Sequence, residues 1–179
     1  MFDPIEVVIL GRPVPAGSKR ALPVRLKSGE TRTIIVDANK NAKPWKQEVA
    51  QTARSQYAGT GVIQGEIMLC TFFQFARPKS HYRTGKNSHL LRDSAPKYHT
   101  QKPDVTKLVR GVEDALSKII YHDDCLIVKQ INEKGWGPID CCILRIFPHP
   151  WDWTETPVID DNDTLIQQTL ARTAPELPF

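Results

Sequence analysis

Apolar positions along the chain gather into runs of two kinds. "IEVVIL" at 5–10 and "EIMLCTFFQF" at 66–75 are continuous, which predicts buried strands. "CLIVKQI" at 125–131 and "IDCCILRIF" at 139–147 read the same way, with Gly135 and Gly137 in the connection between them. The second kind has helical spacing. In "KPWKQEVAQTARSQY" Trp45, Val49, Ala53 and Tyr57 recur about every fourth residue, and Pro44 suits a first turn. The clearest helix spans 104–119, where Val105, Leu108, Val109, Val112, Leu116 and Ile119 share a face. Its opposite face carries Thr106, Lys107, Arg110, Glu113, Asp114 and Ser117.

Between the first strand and the first helix, "GRPVPAGSKRALPVRLKSGETR" is rich in Pro, Gly and basic residues. It predicts a mobile loop, with "TIIVD" as a short strand inside it. Residues 76–101 show no period and read as an exposed basic loop. The order strand, loop, helix, strand, loop, helix, strand, strand predicts an α/β (α+β) fold. It is a single small domain over 1–148, with a mixed or an antiparallel sheet packed by two main helices. Residues 149–179 form a polar, acidic C-terminal tail. In it "DTLIQQTLART" can make one short helix, and Trp151 and Trp153 read as docking residues. "CILRIF" as an exposed edge strand would suit a dimer. The chain of 179 residues is long enough to bury a real core.

Charge changes the picture more than composition does. Residues 11–46 hold nine Lys/Arg against Glu30 and Asp37, and residues 77–110 hold nine against Asp93 and Asp104. Residues 151–179 hold six acids and only Arg172. Two basic stretches on one body point to a polyanion, with solvated loops as the plain alternative. No apolar run is long enough to span a membrane, and "MFDPIEVVILGRPVP" lacks a basic leader or cleavage site, so a cytoplasmic protein is expected. Cys70, Cys125, Cys141 and Cys142 lie in apolar stretches without a CxxC, which predicts buried reduced thiols.

The candidate chemistry sits in "KPDVTKLVRGVEDALSKIIYHDDCLIV", residues 102–128. Asp104 opens the helix, and Asp123 and Asp124 follow its end. A capped helix and an acidic turn account for them plainly. Alternatively, carboxylates brought close repel one another unless a cation neutralises them, and Mg²⁺ prefers such oxygen ligands. Arg110 or Lys107 can then hold a phosphate. Asp114 lies four residues from Arg110, the spacing of a surface ion pair.

This segment resembles the signature of the RusA-like Holliday-junction resolvases, phage-borne members especially, and "GRPVPAGSKR" resembles the loop after their first strand. The resemblance implies a small homodimeric α/β fold that binds four-way DNA junctions in the cytoplasm of a bacterial host. It implies paired nicks and Mg²⁺, with Mn²⁺ able to substitute. By position it implies Asp104 and Asp124 as catalytic metal ligands, Asp123 beside them, and Arg110 where the family has a lysine. Lys19, Arg20, Lys102 and Lys107 are the expected DNA contacts. Thr106 stands where the usual motif has a second aspartate, and a hydroxyl brings no charge. A dimeric junction-binding protein of the same fold with little cleavage is therefore the second reading. A histidine-based nuclease using His81, Asn87, His89 and His99 ranks third.

Overall fold

A computed structural model describes residues 4–57, 61–150 and 166–168. Strands β1 (Ile5–Leu10), β4 (Ile67–Ala76), β5 (Ile127–Gly137) and β6 (Cys141–Pro148) form one mixed sheet in the order β1-β6-β4-β5. Only β4 and β5 run parallel, because α2 (Val105–Leu116) lies in the crossover between them. Strands β2 (Lys19–Arg25) and β3 (Thr31–Asp37) pair with each other as a separate ribbon. Helix α1 (Ala42–Gln56) completes the fold, so the expected α+β class with two main helices holds.

Both helices cover one face of the large sheet. Val7 and Ile9 of β1, Leu69, Phe73 and Phe75 of β4, and Leu144 and Ile146 of β6 meet Trp45, Val49 and Ala53 of α1 and Leu108, Val112 and Leu116 of α2. Period-two strands facing period-3.6 helices produce this single core, as the apolar pattern requires. On the other face Val8, Cys141 and Ile143 are covered by Ile166, so part of the C-terminal segment packs on the domain. Trp151 and Trp153 lie outside the described residues.

Several expectations need correction. Residues 19–25 are no loop: they form β2, paired with β3, which contains the expected strand at 33–37, and Pro23 is tolerated because each strand keeps an outer edge. Gly135 and Gly137 do not break the chain but lie within β5. A Cβ at Gly135 would stand 3.1 Å from the Phe72 ring, and one at Gly137 would overlap the Gln74 side chain. These glycines let β5 continue beside the bulky residues of β4, and Trp136 between them is part of a strand rather than a turn. Strand β6 is an inner strand, not an edge; the edges are β1 and β5. Helix α2 stops at Leu116, where Ser117 donates back to Glu113 and Lys118 takes a left-handed φ of 65°. Cys70, Cys141 and Cys142 are buried as expected, but Cys125 is exposed because the turn at 124–126 lifts it off the core.

Candidate active site

Helix α2 is the spine of the site. Leu108, Val109, Val112, Ala115 and Leu116 are buried, which turns Thr106, Lys107, Arg110 and Asp114 outward. Asp104 occupies the N-cap position with extended backbone, but its side chain makes no capping bond. Its Oδ2 instead accepts from Lys107 Nζ at 2.9 Å. That bond, with the further charges of Lys102 and Lys134, holds the Asp104 carboxyl below its usual range, so it is an exposed, ionised carboxylate at neutral pH.

The backbone just ahead of Asp104 is fixed from β5. Lys134 Nζ donates to the carbonyls of Gln101, at 2.6 Å, and Pro103, at 2.8 Å. The Lys102–Pro103 peptide is cis. The 77–101 loop is pinned nearby by Trp136, whose Nε1 donates to the Tyr98 carbonyl. His99 stacks 4.2 Å from the Trp136 ring and 4.4 Å from Phe75, and His81 meets Trp136 edge-on at 4.9 Å. His81 and His99 are thus packing residues, and His99, buried, has its pKa pushed down by that burial. Asn87 and His89 stay on the exposed part of the loop. These contacts remove the basis of the histidine-nuclease reading.

The other end of α2 carries a second group of acids. Glu113 is half-buried, and its Oε1 accepts from Gln130 Nε2. Gln130 in turn accepts from Asn132, and Asn132 accepts from buried Thr71 at 2.8 Å. This chain of side chains ties Glu113 to the centre of the sheet. Burial raises the Glu113 pKa, Gln130 and Arg110 oppose the rise, and the charges of Asp124 and Asp114 add to it. Asp123 caps the short turn at 124–126 by accepting from the Cys125 N–H at 3.1 Å, which lowers its pKa. Asp124 is exposed, and its charge is felt by both Glu113 and buried Tyr121. Asp114 does not pair with Arg110; it bonds Lys46 of α1 instead, because the two helices pack side by side.

Strand β5 runs back along α2, since Gln130 meets Glu113 and Lys134 meets Pro103. Asp104 opens α2, while the charge of Asp124 is felt at Glu113, nine residues or about 14 Å of helical rise further on. Among the described residues, no group of three or more His, Cys, Asp or Glu side chains is arranged to hold a metal. The segment 14–16 lies across α2 between its first turn and Gly111: Ala16 N donates to the Lys107 carbonyl at 2.8 Å, and Gly111 admits the close approach. Lys19 and Arg20 begin the ribbon that leaves from this point, and both are exposed. Sequence reading passed over Lys134, Gln130 and Asn132. Their signal was the alternation along β5, which puts all three on one face.

A family model described as Endodeoxyribonuclease RusA matches residues 12–139, a span that holds the ribbon, α2 and both ends of the acidic segment. The chain belongs to the RusA endodeoxyribonuclease family. It is also similar to "Uncharacterized protein YqaN" of Bacillus subtilis (strain 168), 33% identical over 130 residues. That match covers 71% of this chain and 84% of the relative. The matched family is one of endodeoxyribonucleases. No helix among the described residues is long and apolar enough to cross a membrane.

Proposed function

We propose that this RusA-family protein is a Mg²⁺-dependent endonuclease that resolves four-way DNA junctions by paired nicks, working as a homodimer. The observation that carries the reading is the set of acids along α2, exposed Asp104 at its start and exposed Asp124 beside half-buried Glu113, in a chain of an endodeoxyribonuclease family. Mg²⁺ commonly takes one or two carboxylates and fills its shell with water and phosphate oxygens, so a closed protein cage is not required. The acids present fit that demand. When bound, the ion would activate water and stabilise charge on the scissile phosphate.

Each side chain has a distinct part in this proposal. Asp104 and Asp124 hold the ion, and Glu113 supplies the negative charge that Thr106 lacks. The chain from Thr71 through Asn132 and Gln130 keeps the Glu113 carboxylate oriented. Thr106 can hold a water through its hydroxyl. Arg110, exposed on the same face, stabilises the charge that develops on the phosphate, while Lys102 and Lys107 hold neighbouring phosphates. Asp123 shapes the turn.

The helix separates Asp104 from the Glu113 end that Asp124 faces, and a two-fold axis would bring the two aspartates together across subunits. With two α2 helices antiparallel across it, Asp104 would face Asp124 of the partner subunit, and the dimer would gain two equal sites. The β5 edge, with Val128 exposed on it, is the open flank beside α2. Two symmetric sites suit paired nicks in opposed strands. A junction-binding protein with little cleavage is the second reading, favoured by the missing charge at Thr106.

The test is a four-way junction labelled on each strand in turn, titrated with Mg²⁺ or Mn²⁺ beside a linear duplex of the same sequence. Metal-dependent nicks in opposed strands of the junction support the proposal. Equal cutting of the duplex sinks junction specificity, and tight junction binding without cutting at any metal concentration supports the second reading.

A further inference from the structure

Among the described residues, no side chain of the β2–β3 ribbon enters the core. Ile34 and Ile35 are consecutive, so they point to opposite faces, yet they are 41% and 70% exposed. A ribbon lying flat on the domain would bury one of the two; here Leu22 and Val36 are half-covered and no described ribbon side chain is fully buried. Seven residues a strand give it a reach of about 23 Å before the turn. One face sets Leu22 opposite Ile34, flanked by Arg20 opposite Val36 and by Val24 opposite Arg32. An apolar patch thus has a guanidinium at each end. Lys19, Arg20, Arg25, Lys27 and Arg32 outnumber Glu30 and Asp37 over the whole ribbon.

The mount is firm and placed at the candidate site. Ala38 N donates to the Ser18 carbonyl, Asn39 Nδ2 donates to the Pro15 carbonyl, and a Cβ at Gly17 would lie 2.6 Å from the Asn39 nitrogen. From that closed neck the chain passes directly to Ala16, which bonds Lys107, the partner of Asp104. The ribbon is therefore held to the same turn of α2 that presents the carboxylate.

A free two-stranded ribbon is marginal in water and exposes apolar surface without return, which implies an occupant. The excess of basic residues disfavours a second copy of the same ribbon and favours nucleic acid. Arginines reach phosphates, and aliphatic side chains wedge against base faces wherever stacking is interrupted. We propose that the Lys19–Asp37 ribbon is a branch-reading arm: it enters the open centre of branched DNA, packs Leu22, Val24 and Ile34 on unstacked bases, and holds the flanking phosphates with Arg20 and Arg32. This rests on the nuclease reading above and adds how a branch is told from a duplex.

The experiment uses the full chain with a four-way junction carrying 2-aminopurine beside the branch point, in Ca²⁺ so that no strand is cut. Wild-type protein is expected to raise the fluorescence and to prefer the junction over linear duplex. The Leu22→Ser, Ile34→Ser double variant, at sites outside the core, is expected to lose the fluorescence rise and about tenfold of that preference, with duplex binding kept. Arg20→Ala with Arg32→Ala should instead weaken junction and duplex binding together. An unchanged fluorescence rise and preference in the serine variant overturns the arm. So does conversion of a wild-type dimer to monomers by the serine variant, which would make the ribbon a self-association surface. Wild-type protein that binds neither DNA overturns the nuclease reading and the arm with it. Junction nicking by wild type and serine variant alike, at equal preference, overturns the arm alone.

Discussion

Replacing Lys134 with methionine removes the two bonds that hold the backbone ahead of Asp104. A hydrogen bond to a charged donor contributes about 1.5–3 kcal/mol when it is shielded from water. Gln101 is exposed and Pro103 half-buried, so water takes over most of the first bond and part of the second. The loss left is about 2 kcal/mol, close to thirtyfold in the population of the arrangement seen here. Losing a cation near Asp104 works the other way, easing approach of Mg²⁺, though solvent screens it at this exposed end. The balance is roughly a tenfold rise in the Mg²⁺ concentration for half-maximal nicking. Lys134→Arg keeps the charge and the donors and should recover most of that loss. The assay is a Mg²⁺ titration of junction nicking, with junction binding measured separately in EDTA. If the methionine variant keeps the wild-type Mg²⁺ response but loses binding in EDTA, Lys134 is a phosphate contact and the positioning role is wrong.

Two further outcomes follow from the same site and its supports. Thr106→Asp should lower the Mg²⁺ concentration needed for nicking and Thr106→Val should raise it; a flat response in both variants places Thr106 outside the metal's surroundings. His99 is buried with its pKa below the ordinary 6.5, so the unfolded chain binds more protons just under that pH and stability falls as pH drops through 6.5. His99→Phe, between Phe75 and Trp136, should therefore flatten the dependence of Tm on pH between 7 and 5, and an unchanged slope would show that another group sets it.

The elements that bury a periodic face were legible in the sequence. Helix α1 and strands β1 and β4 lie within a residue of where their apolar spacing put them, and α2 starts as expected but ends three residues early, because burial and period agree there until the left-handed Lys118. Of the ribbon, β3 was legible in TIIVD but β2 was not: largely solvated, it has no burial pattern to read, and Pro23 argues against a strand. Gly135 and Gly137 misled for a different reason, since what they relieve is a clash with Phe72 and Gln74 of another strand. The inner position of β6 likewise depends on strand order, which no local pattern encodes. Within the candidate site, the acidic residues stood out by spacing and by resemblance to the RusA family. That β5 returns along α2, with Asp104 at the helix start and Asp124 facing Glu113, could not be read from the sequence. Nor could Lys134, whose role depends on the carbonyls of a loop 31 to 33 residues away.

The central claim is that Asp104 of one chain and Asp124 of its partner make each cleavage site. Mixing two inactive variants tests it directly. Asp104→Asn and Asp124→Asn are each expected to bind junctions and to cut none. If the two are unfolded together, refolded and assayed with Mg²⁺, half of the dimers formed at random are mixed, and each mixed dimer has one site with both aspartates intact. Sites shared between subunits should return to about a quarter of the wild-type number, nicking one strand at a time rather than in pairs. A mixture as inactive as either variant alone would contradict the claim, since sites built within one chain cannot be restored by exchange.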